Sequence, residues 1–109
     1  MLFICSRNRR RSPTAEQIFS RRTDLDVASA GLAPDAEDVV TPETLEWAEV
    51  IFVMELSHRT SLQRRFGRHL RHARIVCLDI PDRYEFMEET LIDRLQAAVT
   101  PLLARNKRR

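Results

Sequence analysis

The chain has 109 residues and a formal net charge of +2, and Lys107 is the only lysine among its 18 lysines and arginines. This length predicts a single domain, residues 1–109, and a composition of 43% hydrophobic and 31% charged residues argues against wholesale disorder. The small net charge argues against a histone-like coat for nucleic acid. The excess of arginine is compatible with oxyanion binding, because guanidinium holds phosphate in a bidentate fashion, and equally with codon usage in a GC-rich genome.

The two cysteines and two glycines exclude several further classes. Cys5 and Cys77 form no CxxC pair and no Cys/His cluster, which argues against a disulfide framework or a structural zinc site. Gly31 and Gly67 are too few for a glycine-rich nucleotide loop. No apolar run approaches the roughly 20 residues of a membrane span. Arginines follow the apolar residues at the start of the chain directly, which argues against a secretory signal. We therefore expect a cytoplasmic protein with no membrane partner.

Four short segments are predicted to form strands. Residues 2–5 (LFIC), 50–54 (VIFVM) and 75–80 (IVCLDI) are apolar without alternation, which is typical of strands that are buried on both faces of a parallel sheet. Residues 25–30 (LDVASA) alternate and suit an edge strand better.

The first two helices are predicted from their start signals. Ser12 followed by Pro13 has the pattern of an N-cap and a first helical residue, and an apolar face continues to about residue 22. Thr41 and Pro42 repeat the same start signal.

Two more helices complete an alternating order of strands and helices. The spacing of apolar residues predicts one helix over 57–66, which Gly67 would end, and another over 86–105, which Pro101 would kink or break. This order predicts an α/β fold: a four-stranded parallel sheet with helices on both faces. Ligands of such sheets bind at the carboxyl ends of the strands, near a topological switch point.

The candidate chemistry lies directly after the first strand, where residues 5–13 read CSRNRRRSP. Five residues between a strand and Arg11 can curl so that backbone N–H groups point inward and cradle a tetrahedral oxyanion at a helix N-terminus. Cys5 would share this positive field, which favours the nucleophilic thiolate. Arg11 would clamp two phosphoryl oxygens, and Ser12 would donate a hydrogen bond to the sulfur. The alternative for Cys5 is a small buried hydrophobic residue.

These motifs resemble the low-molecular-weight protein tyrosine phosphatase family, whose signature is an apolar strand followed by C-x5-R-S-P-x-A-E. The signature stands here as LFIC-SRNRR-RSPTAE. Residues 29–31 (SAG) and 51–55 (IFVME) resemble further family segments, and residues 80–84 (IPDRY) resemble the acid loop of the family. The resemblance spans essentially the whole chain and implies the phosphotyrosine protein phosphatase I-like fold.

The resemblance also implies a mechanism. The thiolate of Cys5 would attack phosphorus, Arg11 and the loop amides would stabilise the transition state, and Asp82 would protonate the leaving oxygen. Asn8 would hold the loop in shape through its side chain, and no metal or other cofactor is required. Asp79, three residues before Asp82, is the alternative general acid.

The predicted phosphate-binding set consists of the other loop residues and one aromatic residue: Ser6, Arg7, Asn8, Arg9, Arg10, Ser12 and Tyr84. The loop departs from the family at Arg7, which replaces a glycine, and at Arg10, which replaces a second cysteine. The extra arginines would either select a polyanionic substrate or form a solvated rim paired with nearby acids. Tyr84 would either flank the pocket or pack in the interior.

The segment after Gly31 is also shorter than in the family, and no histidine between Asn8 and Thr41 can support the loop asparagine. This predicts an open site. His58, His69 and His72 are expected at the surface. Six arginines between residues 59 and 74 are expected on a solvated helix face, with an acidic partner or nucleic acid as the alternative.

The sequence thus predicts a metal-independent cysteine phosphatase that hydrolyses phosphate monoesters of the phosphotyrosine type. One alternative is a catalytically weak module that binds phosphorylated protein or RNA; another is a phosphatase that acts on nucleotides or RNA ends. The predicted partner is a phosphorylated substrate, with a polyanionic one left open. Nucleic acid is disfavoured because aromatic residues are only 6% of the chain.

Overall fold

Strands and helices alternate along the chain, as the sequence predicts. The computed structural model describes residues 1–107, and side chains as far as residue 103. Its elements are β1 Leu2–Cys5, α1 Arg11–Phe19, β2 Ala28–Gly31, α2 Pro42–Trp47, β3 Val50–Val53, α3 Leu56–Phe66, a 3-10 turn Gly67–His69, β4 Arg74–Cys77 and α4 Glu89–Lys107. The four strands form one parallel sheet in the order β2-β1-β3-β4. The predicted α/β fold with a four-stranded parallel sheet is therefore confirmed.

Helices cover both faces of this sheet, and each face has its own hydrophobic core. Phe3 of β1 stacks on Phe52 of β3 and on Phe19 of α1, and residues of α4 complete this core. On the opposite face, Leu2 and its neighbours pack against α2 and α3. Alternate residues of β1 point to opposite faces, so a strand with a core on each side is apolar throughout.

The strand order places the end of β1 at the topological switch point. The chain leaves β1 toward β2 on one side, and the later strands β3 and β4 lie on the other side. Connections that diverge in this way leave a crevice at the carboxyl end of the strand between them. Cys5 is the last residue of that strand.

The two edge strands differ from the prediction, β2 in the residue at which it begins and β4 in its burial. β2 begins at Ala28 rather than at residue 25, and it lies at an edge as predicted. The prediction that the fourth strand is buried on both faces is wrong: Arg74 is exposed and the rest of β4 is only partly buried. The reason is that β4 is the other edge and pairs with β3 alone. Cys77 at its end packs against the second core as a free thiol.

One predicted helix start is wrong and the other is confirmed. α1 begins at Arg11 and has Arg10 as its N-cap, without a capping side chain, so Ser12 lies inside the first turn. The backbone of the preceding loop, rather than a hydroxyl cap, starts this helix. Thr41 is the N-cap of α2, as predicted, and its Oγ1 accepts a hydrogen bond of 3.2 Å from the amide of Thr44.

The last two helices also differ in detail. α3 ends at Phe66 as predicted, but Gly67 keeps right-handed backbone angles and begins the 3-10 turn. α4 begins at Glu89 rather than at residue 86, because Met87 has a φ of 62°, which a right-handed helix cannot contain. The helix continues through Pro101 to Lys107, so the predicted break does not occur.

Gly31, at the end of β2, lies directly against the backbone of the loop that follows β1. A Cβ atom at this position would lie 2.7 Å from the carbonyl oxygen of Ser6, 3.0 Å from the carbonyl carbon of Arg7 and 2.6 Å from the Cβ of Ala36. Two of these neighbours are backbone atoms that cannot rotate away. The absence of a side chain at Gly31 therefore allows the β1–α1 loop to approach β2 this closely.

We expect Gly31→Ala to destabilise the protein by about 1–3 kcal/mol, because the added methyl group overpacks a rigid contact. Gly67→Ala is the matched control. Position 67 has helical backbone angles and open space around the added Cβ. Its substitution should leave stability unchanged or raise it by about 0.4–1 kcal/mol. Urea denaturation of the two variants measures the difference, and equal stabilities would show that the contact at Gly31 is soft.

Candidate active site

The β1–α1 loop, residues 6–10, curls around the sulfur of Cys5. The amide of Asn8 donates a hydrogen bond of 3.2 Å to Cys5 Sγ. Asn8 has a φ of 56°, in the left-handed region that asparagine tolerates better than most residues. Arg7 is not among the described residues with positive φ, so the replacement of the family's glycine by Arg7 leaves no strained backbone there. The turn is made one residue later.

The carbonyl groups at the start of this loop point away from its centre. They accept hydrogen bonds from the segment that follows β2: Leu32 N–H to Cys5 O at 3.0 Å, Ala33 N–H to Ser6 O at 2.8 Å and Glu37 N–H to Arg7 O at 3.1 Å. Because the carbonyls are turned outward, the loop can present its amides to an anion at its centre. This arrangement is the one expected of the predicted oxyanion nest.

Arg11 lies buried beside the nest, with 2% of its side chain exposed. Its Nη1 donates a hydrogen bond of 2.8 Å to the carbonyl of Ile80 and lies 3.3 Å from Glu55 Oε2, and its Nε lies 3.8 Å from Asp82 Oδ1. A buried cation is costly unless it is paired and hydrogen-bonded, and these three contacts supply both. Glu55 was not predicted as a site residue, although it directly follows the apolar run of the third strand.

A cavity of about 580 Å³ opens above the loop. It is lined by Cys5, Ser6, Arg7, Arg9, Arg10, Arg11, Ala33 and Asp82. The structure therefore brings together the predicted nucleophile, the predicted arginine clamp and the predicted general acid. Asn8 in the loop and Ser12 in the first turn of α1 are buried and do not line the cavity.

The two candidate acids occupy different environments. Asp82 lines the cavity, and its carboxylate is 57% exposed. Asp79 does not line the cavity; it has a φ of 57°, and its carbonyl accepts a hydrogen bond of 3.1 Å from Arg94. This geometry favours Asp82 as the group that reaches a leaving oxygen.

Each of the three extra arginines of the loop has an acidic partner. The pairs are Arg7 with Asp35 at 3.7 Å, Arg9 with Glu37 at 3.8 Å and Arg10 with Glu85 at 3.8 Å. All six side chains are at least half exposed, so each pair contributes only about 0–1 kcal/mol. The structure thus shows the pairing with nearby acids that one of the two alternatives, the solvated rim, predicts.

Two polar groups near the nest are buried without a hydrogen-bond partner among the described residues: the Oδ1 of Asn8 and the Oγ of Ser12. Ser12 Oγ thus makes no hydrogen bond to Cys5 here, and the Asn8 side-chain oxygen does not hold the loop. The backbone bonds described above hold it instead. An unpaired buried polar group costs about 1–3 kcal/mol, a cost that a site can recover when it binds a charged ligand.

Tyr84 lies away from the cavity. Its ring is buried in the first core, with 4% of the residue exposed, and its hydroxyl accepts a hydrogen bond of 3.2 Å from Arg94 Nη1. The guanidinium of Arg83 lies over the ring at 5.6 Å. Of the two roles considered for Tyr84, the structure places it in the packing role.

The prediction that His58 lies at the surface is wrong. His58 is 4% exposed; its Nε2 lies 3.1 Å from Ser6 Oγ, and its Nδ1 accepts a hydrogen bond of 3.1 Å from the amide of Glu55. Burial, and then the positive charge of Arg11, lower the pKa of His58 from its ordinary value of 6.5, and Glu55 and Asp82 oppose this. The sequence feature that could have indicated this buried position is the E-x-x-H spacing at the start of α3, just beyond the carboxyl end of β3.

The other predicted surface groups lie where expected. His69 and His72 both contact Glu46 at the surface. The six arginines between residues 59 and 74 are exposed, and none of them forms a salt bridge with the residues described. Within residues 1–107, no helix has the length and apolar character needed to cross a membrane.

Comparison with known proteins agrees with this site. The family model of low molecular weight phosphotyrosine protein phosphatase matches residues 1–57, which contain the nest, Arg11 and Glu55. No match was found among curated protein sequences.

Solved structures extend the similarity over nearly the whole chain. The Wzb protein of Vibrio vulnificus, in complex with benzylphosphonate, is 21% identical with a TM-score of 0.72, covering 99% of this chain and 97% of its own. The YwlE arginine phosphatase of Geobacillus stearothermophilus is 19% identical with a TM-score of 0.78, covering 97% and 91%. The tyrosine phosphatase Wzb of Escherichia coli K30, in complex with phosphate, is 20% identical with a TM-score of 0.74, covering 95% of each chain.

A parallel α/β sheet with a cysteine-centred oxyanion nest at its switch point defines a cysteine phosphatase, a phosphoric monoester hydrolase. The match over residues 1–57 is more specific. The chain belongs to the low molecular weight phosphotyrosine protein phosphatase family.

The lowered pKa of His58 predicts a pH dependence of stability. Because the folded protein resists protonation of His58, the free energy of unfolding should fall as the pH drops below 6.5, the ordinary value of this group, and continue to fall until the folded-state pKa is passed. His58→Asn lacks this titration, so the stability difference between the wild type and the variant should shrink in the same pH window. Urea denaturation between about pH 7.5 and pH 5 measures it. A difference that does not change with pH would contradict the assignment.

Proposed function

We propose that the protein hydrolyses phosphate monoesters of the phosphotyrosine type through a phosphocysteine intermediate. The observation that carries this proposal is the arrangement of Cys5, Arg11 and Asp82 around one cavity, with an amide of the loop directed at the sulfur. Structures with the same fold hold benzylphosphonate and phosphate in complex, which supports a phosphoryl group as the ligand.

In the first step, the thiolate of Cys5 attacks phosphorus in line with the ester oxygen. The S–P bond forms and the P–O ester bond breaks, while neutral Asp82 gives its proton to the leaving oxygen. In the second step, a water molecule attacks phosphorus and the P–S bond breaks. The carboxylate of Asp82 takes up the proton of that water, which restores thiolate and acid.

Arg11 and the loop amides stabilise charge during both steps. Arg11 is positioned before substrate arrives, because Ile80, Glu55 and Asp82 already hold its guanidinium. A fixed donor needs little reorganisation as charge develops on the equatorial oxygens, and such preorganised donors contribute strongly to catalysis. The buried hydroxyl of Ser12, without a partner among the described residues, is available to donate to the sulfur when it leaves phosphorus.

The paired rim supports a monoester over a polyanion. Asp35, Glu37 and Glu85 offset the charges of Arg7, Arg9 and Arg10, so the mouth of the cavity is less positive than the loop sequence suggests. A panel of phosphotyrosine peptide, phosphoarginine, nucleotide and 5′-phosphorylated RNA tests this choice, with phosphoarginine included because one structural relative is an arginine phosphatase. A preference for the nucleotide or RNA would replace the proposed substrate class.

Cys5→Ser should abolish hydrolysis of 4-nitrophenyl phosphate, with a loss on the order of 10³-fold or more, because the serine hydroxyl is a far weaker nucleophile at neutral pH. Cys77→Ser is the matched control, since the thiol of Cys77 packs against the second core and does not line the cavity. It should retain activity. The assays contain EDTA, and loss of wild-type activity in EDTA, or equal activity of both variants, would contradict the mechanism.

Asp82→Asn should slow turnover most for substrates with poor leaving groups, since these depend on protonation of the leaving oxygen. A loss of about 10²–10⁴-fold is expected for an alkyl phosphate, and a smaller one for 4-nitrophenyl phosphate. Asp79→Asn is the matched control, because asparagine tolerates the positive φ at this position. A larger loss in Asp79→Asn would make Asp79 the general acid.

A further inference from the structure

The hydrogen bonds of His58 identify its tautomer. Its Nδ1 accepts from the backbone amide of Glu55, the N-cap residue of α3, so this nitrogen carries no proton. In the neutral ring the proton must then be on Nε2. This nitrogen lies 3.1 Å from Ser6 Oγ and 3.5 Å from Glu55 Oε2, so the closer acceptor is the hydroxyl of Ser6.

The tautomer in turn directs the proton of Ser6. A hydroxyl has one proton to donate, and Ser6 Oγ already receives a hydrogen bond from His58. The proton of Ser6 must therefore point away from the imidazole. Ser6 lines the cavity beside Cys5, and its hydroxyl has no other hydrogen-bond partner among the described residues, which leaves the cavity as the direction in which it can donate.

Charged groups from three elements face His58. These groups are Arg11 of α1, Asp82 of the loop after β4, and Glu55 at the start of α3 itself. Burial and the charge of Arg11 keep the ring neutral, and Glu55 and Asp82 act in the opposite direction. A neutral ring is what the hydrogen bond from the amide of Glu55 requires.

We propose that His58 is a positioning residue of the proposed phosphatase, which fixes the hydroxyl of Ser6 so that its proton points at the bound phosphoryl group. This inference rests on the proposed function. It means that a residue at the start of α3 helps to orient a phosphate-binding group of the β1–α1 loop. Ser6 supplies a further donor where negative charge collects, beside the loop amides and Arg11.

Two substitutions separate this role from a structural one. In His58→Asn, the side-chain oxygen can occupy the place of Nδ1 and keep the bond from the amide of Glu55, but nothing reaches Ser6. In His58→Gln, the side-chain nitrogen can occupy the place of Nε2 and keep the bond to Ser6, but the capping bond to Glu55 is lost. Activity and stability should therefore rank the variants in opposite orders.

We expect His58→Asn to lower kcat/KM for 4-nitrophenyl phosphate by about three- to tenfold, the effect of one lost hydrogen bond. His58→Gln should restore most of this loss while unfolding at a lower urea concentration than His58→Asn. Ser6→Ala should match His58→Asn, and the double variant should lose no more than either single variant. Equal losses in the two His58 variants, activity that follows stability, or additive losses would overturn the proposal.

Two readouts keep the inference testable even if no ester is hydrolysed. An inactive wild type would contradict the proposed function, but the affinity for inorganic phosphate should still be lowered by His58→Asn and retained by His58→Gln. Nitrogen-15 NMR of the imidazole should show the Nε2–H tautomer of His58 in the wild type. The Nδ1–H tautomer, or phosphate binding that is insensitive to both substitutions, would overturn the proposal independently of activity.

Discussion

The site depends on one constraint: the first carbonyls of the β1–α1 loop must be satisfied from outside, so that its amides remain free inside. The segment after β2 meets this constraint, because its amides bind the carbonyls of Cys5, Ser6 and Arg7. The approach is possible only because Gly31 has no side chain to hold the two backbones apart. Nearly all buried backbone groups in proteins are paired, so without this second segment the loop would have to turn its carbonyls elsewhere. The fold thus supports the nest through β2 as much as through β1.

The register of the sheet explains why the other site groups converge there. Ile4 pairs with Val53, and Val53 pairs with Cys77, so the carboxyl ends of β1, β3 and β4 lie side by side. Glu55 and Ile80 follow β3 and β4 and meet Arg11 at this edge. The guanidinium is removed from water, but a carbonyl and two carboxylates remain within reach of it. A phosphoryl group that binds in the nest therefore meets a cation whose position is already fixed, and little of its binding energy goes into ordering the arginine.

Much of this architecture could be predicted from local patterns. Unbroken apolar runs identified β1 and β3 because both faces of these strands are covered, and the C-x5-R spacing located the nest. The patterns failed where tertiary structure decides. The hydroxyl of Ser12 resembled an N-cap, but the helix starts two residues earlier, with Arg10 as its N-cap. Met87 delays α4 through a positive φ that no composition signal reveals. His58 was missed because a histidine on a polar, arginine-rich helix resembles a surface residue, and only the packing of the first turn of α3 against the loop buries it.

The arginines illustrate how one residue type takes different roles according to burial. Composition alone could not decide whether the excess of arginine reflects phosphate binding or codon usage. The loop sequence suggested a strongly positive ring around the phosphate site. In the folded chain, Arg11 is buried, and protein acceptors replace the water around its guanidinium. Its charge therefore acts in a medium of low dielectric constant, where electrostatic interactions are strong. Arg7, Arg9 and Arg10 remain half exposed, each beside a carboxylate, where solvent screens them. The four arginines between residues 7 and 11 are therefore not equivalent: Arg11 is a buried cation held beside the nest, and Arg7, Arg9 and Arg10 form an exposed rim in which each charge has an acidic partner.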